Sequence, residues 1–282
     1  MIDQLPVGLG RRRRRLSDAE TEQRMLRAAL AMLERTGLTV SLDHISFEEI
    51  IRDAGVARSA VYRRWPYKDM FFSDLVMELA GNATPTIVDD EIALIGRVAA
   101  EHLDWLETPE QRRGLFAELI RQLALFDFET LYGSAQWRTY LALHATFLSL
   151  ADGQLRDQVG QALARSERDH LARVAQAWER IAHLFGYRLR PELGATFETL
   201  ATLLDATMRG LIVTALPLPE LAAQRAEARP FGALAPGQWS LAATGLGSLA
   251  AEFLEPDPAV TWDDKRVAAL RQALLAAADP GA

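Results

Sequence analysis

Residues 46–71 constrain the fold more than any other part of the chain, and they read SFEEIIRDAGVARSAVYRRWPYKDMF. The Ser-x-x-Glu pattern at Ser46 predicts the start of a helix, because such a pair caps the free N–H groups of the first turn. Residues 54–56, Ala-Gly-Val, predict a turn, and residues 57–64 a second helix that Pro66 ends. Two short helices joined by a Gly-containing turn form a helix-turn-helix, the motif that places its second helix in the DNA major groove.

The rest of the chain is also predicted to be helical, because its apolar residues recur every three or four positions. A capping box at Ser17 predicts a first helix over 17–36. Further helices are predicted over about 67–79, 91–107, 108–125, 129–150, 154–185, 191–216, 238–254 and 263–277. No strand alternation and no internal repeat stands out. The predicted fold class is therefore all-α.

The chain is expected to contain two domains, an N-terminal three-helix helix-turn-helix domain and a larger C-terminal helical domain. The polar stretch 82–90 contains a proline and is the best candidate for their boundary. The predicted parts are a flexible basic arm over 1–16, the helix-turn-helix domain over 17–81, and a helical domain over 90–282 with a C-terminal extension after about 217.

The net charge of −7 is unevenly distributed along the chain. Residues 10–68 carry 13 Lys and Arg against 8 Asp and Glu, whereas residues 81–282 carry 18 against 26. A locally basic segment attached to an acidic body predicts an anionic partner for the first domain alone.

Several classes of protein are made improbable by what the sequence lacks. It has no Cys, which excludes disulfides and thiolate metal sites and fits a reducing cytoplasm. No apolar run approaches the roughly 18 residues of a membrane span, and the N-terminus does not resemble a signal peptide. A cytoplasmic protein without membrane association is expected. Neither a Gly-x-Ser-x-Gly motif nor a phosphate-binding loop is present, so an enzyme is not expected. The five His residues lack the spacing of metal ligands, so neither a metal nor a cofactor is predicted.

The segment from Ile50 to Phe71 resembles the helix-turn-helix signature of the TetR family of bacterial transcriptional regulators. The matching residues are Ile50, Ala54, Gly55, Val56, Ala57, Arg58, Ser59, Ala60, Val61, Tyr62, Lys68, Asp69 and Phe71. With the preceding helix, the resemblance covers about residues 20–80. Arg64, Trp65 and Tyr67 depart from the family pattern, and the chain is longer than a typical member, with the excess after about residue 217.

The chemistry of the motif suggests how DNA would be contacted. Arg58 can bond guanine O6 and N7 together, and the methyl group of Ala60 can touch thymine. Phosphate contacts fix the register without reading sequence, and a run of arginines in the N-terminal arm suits them. The predicted DNA-binding residues are Arg11, Arg12, Arg13, Arg14, Arg15, Ser46, Ala57, Arg58, Ser59, Ala60, Tyr62, Arg63, Arg64 and Lys68. The alternative for the arginines is a solvated face, and for Tyr62 a place in the core.

The resemblance also implies a function for the second domain. It would enclose a ligand pocket and contribute two helices, 154–185 and 191–216, to a homodimer that binds a near-palindromic operator as a repressor released by a small, mostly apolar effector. Candidate pocket residues are aromatic or polar side chains at helical spacing: His102, Trp105, Phe116, Leu119, Gln122, Phe126, Trp137, Tyr140, His144, Phe147 and Trp178. Each could equally be ordinary core. A regulator of the same fold that binds DNA or protein without an inducer is the open alternative, and it predicts an occluded second domain.

Overall fold

The computed structural model describes residues 16–36, 45–81 and 88–278. The predicted basic arm, Arg11–Arg15 included, lies outside the described residues, as does most of the predicted boundary segment. The chain divides into two compact units. The first comprises the described part of Met1–Gly81 together with Leu141–Gly160, and the second comprises the described parts of Asn82–Tyr140 and Gln161–Ala282. The sequence-based division assigned residues 141–160 to the second domain, whereas their contacts group them with the first unit.

The first unit contains the four predicted N-terminal helices: α1 (Asp18–Thr36), α2 (Phe47–Ala54), α3 (Arg58–Arg64) and α4 (Lys68–Gly81). Ser46 caps α2, because its hydroxyl accepts a hydrogen bond from the backbone N–H of Glu49 at 3.3 Å. Gly55 ends α2 with a φ of 63°, a left-handed conformation that glycine adopts without steric cost. The turn between α2 and α3 therefore depends on a glycine at this position.

The core of the first unit is aromatic and aliphatic. Ile50, Val61, Trp65 and Phe71 are completely buried, and the Trp65 and Phe71 rings meet edge to face with centroids 5.1 Å apart. Complete burial of such a side chain stabilises a fold by about 1.5–3 kcal/mol. The predicted packing of Val61 and Trp65 onto the neighbouring helices is confirmed.

The second unit is built mainly from long helices. They are α5 (Val88–Glu101), α6 (Pro109–Gly133), α7 (Ala135–Ser149), α8 (Gln154–Leu184), α9 (Phe197–Ala215), α10 (Pro219–Ala223), α11 (Leu241–Phe253) and α12 (Asp264–Ala278). Residues 141–149 of α7 and 154–160 of α8 belong to the first unit by their contacts. Thr108 caps α6 with Pro109 in its first turn, as predicted. The all-α fold class is confirmed.

The residues after 217 are an integral part of the second unit. Helix α11 packs against α6 and α9, and α12 packs against α5. Gly114 of α6 leaves room for the side chain of Leu234, and any Cβ at this glycine would collide with it. Arg112 of α6 is buried, and its guanidinium lies 4.0 Å from the centre of the Trp262 ring. The extension thus completes the core.

Some predicted boundaries were wrong. Helix α6 continues to Gly133 instead of ending near residue 125, and α5 ends at Glu101, before a short 3₁₀ helix at Leu103–Leu106. The predicted helix 191–216 is interrupted at Gly194, whose φ is 56°. Helix α9 begins only after Thr196, which caps it.

Within the described residues, strands that the sequence did not predict form two small antiparallel pairs. Strand β1 (Tyr187–Leu189) pairs with β4 (Leu254–Pro256), and β2 (Arg225–Ala228) pairs with β3 (Gly237–Ser240). The β2–β3 pair lies within the C-terminal extension, and the β1–β4 pair joins the extension to the segment that follows α8. Across the described residues, no helix is both long and apolar enough to cross a membrane.

Candidate nucleic-acid interface and ligand cavity

Helix α3 presents a polar face to solvent. Ala57, Arg58 and Ser59 at its start are exposed, and Ala60 is partly exposed. Further along, Tyr62, Arg63 and Lys68 are exposed, while Val61 and Trp65 point into the core. The structure therefore leaves six of the predicted DNA-binding residues exposed on α3 and beside it: Ala57, Arg58, Ser59, Tyr62, Arg63 and Lys68.

The carboxylate of Glu48, on α2, contacts two of these exposed side chains. It forms an ion pair with Arg58 and accepts a hydrogen bond from the Tyr62 hydroxyl at 3.1 Å. The hydrogen bond to Glu48 is the main cause that raises the pKa of Tyr62. Arg58 remains 70% exposed, so a stronger anion could take it from Glu48.

Arg64, unlike Arg58, is bound by acidic side chains from two other helices of the unit, α1 and α4. Its guanidinium lies 3.2 Å from Glu22 of α1 and 3.2 Å from Asp74 of α4. Asp74 also accepts a hydrogen bond of 2.7 Å from the indole N–H of Trp65. This cluster ties three helices together and gives the unusual Arg64-Trp65 pair a structural role. Arg63 is likewise paired, with Asp18.

The second unit contains a cavity of about 260 Å³. Helices α5, α6, α8, α9 and α11 supply its walls. Most of its surface is apolar, with contributions from Phe116, Leu119, Leu204, Met208 and Leu246. The last of these belongs to the C-terminal extension.

Two exposed arginines, Arg173 and Arg180, also line the cavity, and four further ionisable side chains interrupt the apolar wall: Glu91, Asp127, His170 and Asp205. Burial, together with the neighbouring Glu91 carboxylate, raises the pKa of Asp127 well above its ordinary value. Burial also raises the pKa of Glu91, and the hydrogen bond from Asp127 partly offsets that effect. Burial therefore raises the pKa of Asp127 more than that of Glu91.

The other two polar residues belong to a network that runs along α8 and α9. His170 Nε2 lies 3.2 Å from Asp205 Oδ1, and Asp205 forms an ion pair of 2.7 Å with Arg209. Arg209 in turn forms an ion pair of 2.9 Å with Glu167, which accepts a hydrogen bond from Tyr140 at 2.6 Å. The network compensates the charge of Asp205.

Three of the predicted pocket residues, Phe116, Leu119 and Trp178, line the cavity. The other eight are not among its lining residues: His102, Trp105, Gln122, Phe126, Trp137, Tyr140, His144 and Phe147. His102 stacks on Trp105, Trp137 stacks on Tyr140, and Gln122 bonds Glu118. His144 and Phe147 belong to the first unit. Large aromatics also fill helix interfaces, and helical spacing alone does not distinguish those positions from the wall of a cavity.

Curated proteins similar to the chain are transcriptional regulators. Uncharacterized HTH-type transcriptional regulators from Mycobacterium bovis and Mycobacterium tuberculosis are each 36% identical over 85 residues, which is 29% of this chain. The chain spans less than half the length of these relatives, 43%. This identity accompanies a TetR-like motif folded as two helices around Gly55.

Solved structures with low sequence identity are also similar to the chain. A putative TetR-family regulator from Mesorhizobium loti is 17% identical, covering 84% of this chain and 98% of that one, with a TM-score of 0.48. SmeT, the repressor of the Stenotrophomonas maltophilia multidrug efflux pump SmeDEF, is 19% identical, covering 86% and 98%, with a TM-score of 0.38. No protein-family model matches the chain.

Sequence reasoning missed the acidic residues of both sites. Glu48, beside α3, follows a cap and looks like an ordinary first-turn acid. Glu91 and Asp127 sit on amphipathic helices, where an acid usually marks the solvent face. In the part of the chain that the structure describes, no three His, Asp or Glu side chains are placed to hold a metal ion.

Proposed function

We propose that this protein is a ligand-responsive transcriptional regulator that binds a near-palindromic operator as a homodimer and represses transcription until a small effector releases it. The observation that carries the proposal is the exposed start of α3, where Arg58, Ser59 and Ala60 stand free of the core. A short helix with small residues beside an arginine can approach base edges in the major groove. Lys68 and Tyr62 flank it and supply phosphate contacts.

The homodimer is supported by the outer face of α9. Leu203 and Val213 are exposed although they are apolar, and Ala206 and Gly210 lie between them at helical spacing. A face of small and apolar residues on a long helix suits packing against a second helix pair. A two-fold dimer would present two copies of α3 to two operator half-sites about one helical turn, or a multiple of it, apart.

The effector is supported by the cavity of about 260 Å³ in the second unit. A regulator without an inducer would have an occluded core at this place, so the cavity favours the ligand-responsive form. An effector changes operator affinity only as far as it binds the two states of the protein unequally.

The proposal is tested by selecting binding sites from random duplex DNA with the purified full chain and measuring affinity by fluorescence anisotropy. We expect the selected sites to share a near-palindrome, with affinity at least about 10³-fold above that for random DNA. Affinity should fall as salt rises, because neutralised phosphates release counterions. Enrichment of no common sequence would overturn the proposal.

Glu48→Gln should tighten operator binding. The change removes a negative charge beside Arg58 and Tyr62. In the unaltered chain, both side chains must break their contacts with Glu48 before they can contact phosphate or base atoms. Because the groups are exposed, the gain should be modest, up to about fivefold. Anisotropy titrations at two salt concentrations measure it, and Glu220→Gln, an exposed first-turn acid on α10, is the matched control. Weaker binding by Glu48→Gln would mean instead that Glu48 positions Arg58 for base contact.

A further inference from the structure

Two buried polar atoms in or beside the cavity wall lack a hydrogen-bond partner among the described residues. They are Oδ1 of Asp127 and Nδ1 of His170, and both residues line the cavity. A buried polar atom without a partner costs about 1–3 kcal/mol, so natural proteins rarely keep one without a function. The two atoms therefore point to a ligand that bonds them.

Oδ1 of Asp127 is an acceptor, and Nδ1 of His170 is one when the imidazole ring is neutral. Nε2 of His170 lies 3.2 Å from the carboxylate of Asp205, and a carboxylate accepts, so Nε2 carries the hydrogen. In the neutral ring this leaves a lone pair on Nδ1. The hydrogen bond between Asp127 and Glu91 engages the other oxygen of Asp127, which leaves Oδ1 open to a donor.

The ionisable groups around these two atoms also favour a cationic ligand. Asp205 is neutralised by Arg209, but no described Arg or Lys forms an ion pair with Glu91 or Asp127. The two arginines of the lining, Arg173 and Arg180, are exposed and lie toward solvent. The carboxyl pair would repel an anionic ligand, whereas it would attract a cationic one.

We infer that the cavity takes an amphipathic amine, with its apolar body against Phe116, Leu204 and Met208 and its ammonium group donating to Asp127 and His170. The inference rests on the proposed function and gives the chemical class of its effector. The volume, close to the lower end of ordinary ligand pockets, suits a compact molecule of one ring and a short chain. The aromatic face of Trp178, in the same wall, adds a surface that attracts a cation.

The protonation of the carboxyl pair gives the amine a pH signature. Without a ligand, burial and the charge of Glu91 raise the pKa of Asp127, which favours the neutral form of its carboxyl. An ammonium group favours the ionised carboxylate, so binding releases a proton. Amine affinity should therefore rise as pH rises through the pKa of Asp127, and it should fall again once the amine itself loses its proton.

The test compares three probes of equal size that differ in one group: 4-phenylbutylamine, 4-phenylbutanol and 4-phenylbutyric acid. Isothermal titration calorimetry with the full chain, free of DNA, gives the affinities. We expect the amine to bind at least about tenfold more tightly than the alcohol, because a charge-assisted hydrogen bond contributes about 1.5–3 kcal/mol. The acid should bind most weakly. Titrations in two buffers with different ionisation enthalpies should show proton release for the amine alone.

Two variants locate the site. Asp127→Asn and, separately, Glu91→Gln should each reduce the preference for the amine over the alcohol to within about threefold, and Asp127→Asn should also abolish proton release. Asp169→Asn, an exposed acid next to His170 on α8, is the matched control and should leave the preference unchanged. Using two variants guards against one that fails to fold, and the comparison of probes on the unaltered chain needs neither.

Equal binding of amine and alcohol, tighter binding of the acid, or no binding by any probe would overturn the inference. Each of these results would leave the selection of operator DNA unaffected. Conversely, a chain that binds the amine but enriches no DNA sequence would overturn the proposed function while the ligand class stands.

Discussion

Trp65→Ala is expected to destabilise the helix-turn-helix domain by about 3–5 kcal/mol, the usual cost of removing a large buried aromatic. Trp65 is completely buried, its ring packs against Phe71, and its N–H bonds Asp74. The truncation leaves a cavity and also removes one hydrogen bond from the carboxylate that holds Arg64. Chemical denaturation followed by far-UV circular dichroism measures the loss.

Tyr67→Ala is the matched control for this prediction. Tyr67 is an aromatic two positions away, but it is 74% exposed, so its truncation should change the free energy of unfolding by less than about 0.5 kcal/mol. Similar stabilities of the two variants would contradict the packing role given to Trp65. Because the recognition helix ends at this residue, Trp65→Ala should also lose most operator binding at temperatures where the control still binds.

Arg58→Ala is expected to weaken operator binding by about 1–3 kcal/mol, or roughly 5- to 150-fold, and to relax sequence preference at one base pair. The side chain is exposed and paired only across the surface with Glu48, so the fold should keep its stability. Binding to the selected operator and to single-base variants, measured by anisotropy, separates the loss of affinity from the loss of preference.

Arg97→Ala provides the control for Arg58→Ala. Arg97 is an exposed arginine on α5 in the second unit, and its removal changes the net charge by the same amount. It should leave the preference at every base pair unaltered. Unchanged affinity and preference in Arg58→Ala would show that α3 does not read bases through this residue.

The first unit was largely predictable because its signals are local. Capping side chains lie three residues from the groups they satisfy, and Gly55 stands at the one turn that needs a left-handed residue. Such features are decided within a few positions of sequence. Even so, the Arg64 cluster could not be seen, because Glu22 and Asp74 come from different helices brought together only by folding.

The second unit was predicted less well because its decisive contacts are distant in sequence. Strand β1 is three residues long and pairs with a segment more than sixty positions later, too short for alternation to show. The cavity was predicted among large aromatics, yet residues such as Trp137 and Tyr140 stack on each other away from it. The acids that distinguish the cavity are Glu91 and Asp127. They differ from ordinary surface acids only because folding removes them from water, which raises their pKa values.

The place of Leu246 in the cavity wall gives the long C-terminal segment a meaning beyond extra length. A shorter relative that lacked α11 would have to close this side of the chamber with other side chains, and its ligand selectivity would change with them. Insertions and deletions after residue 217 would therefore reshape this cavity wall while leaving helices α1 to α4 of the first unit untouched.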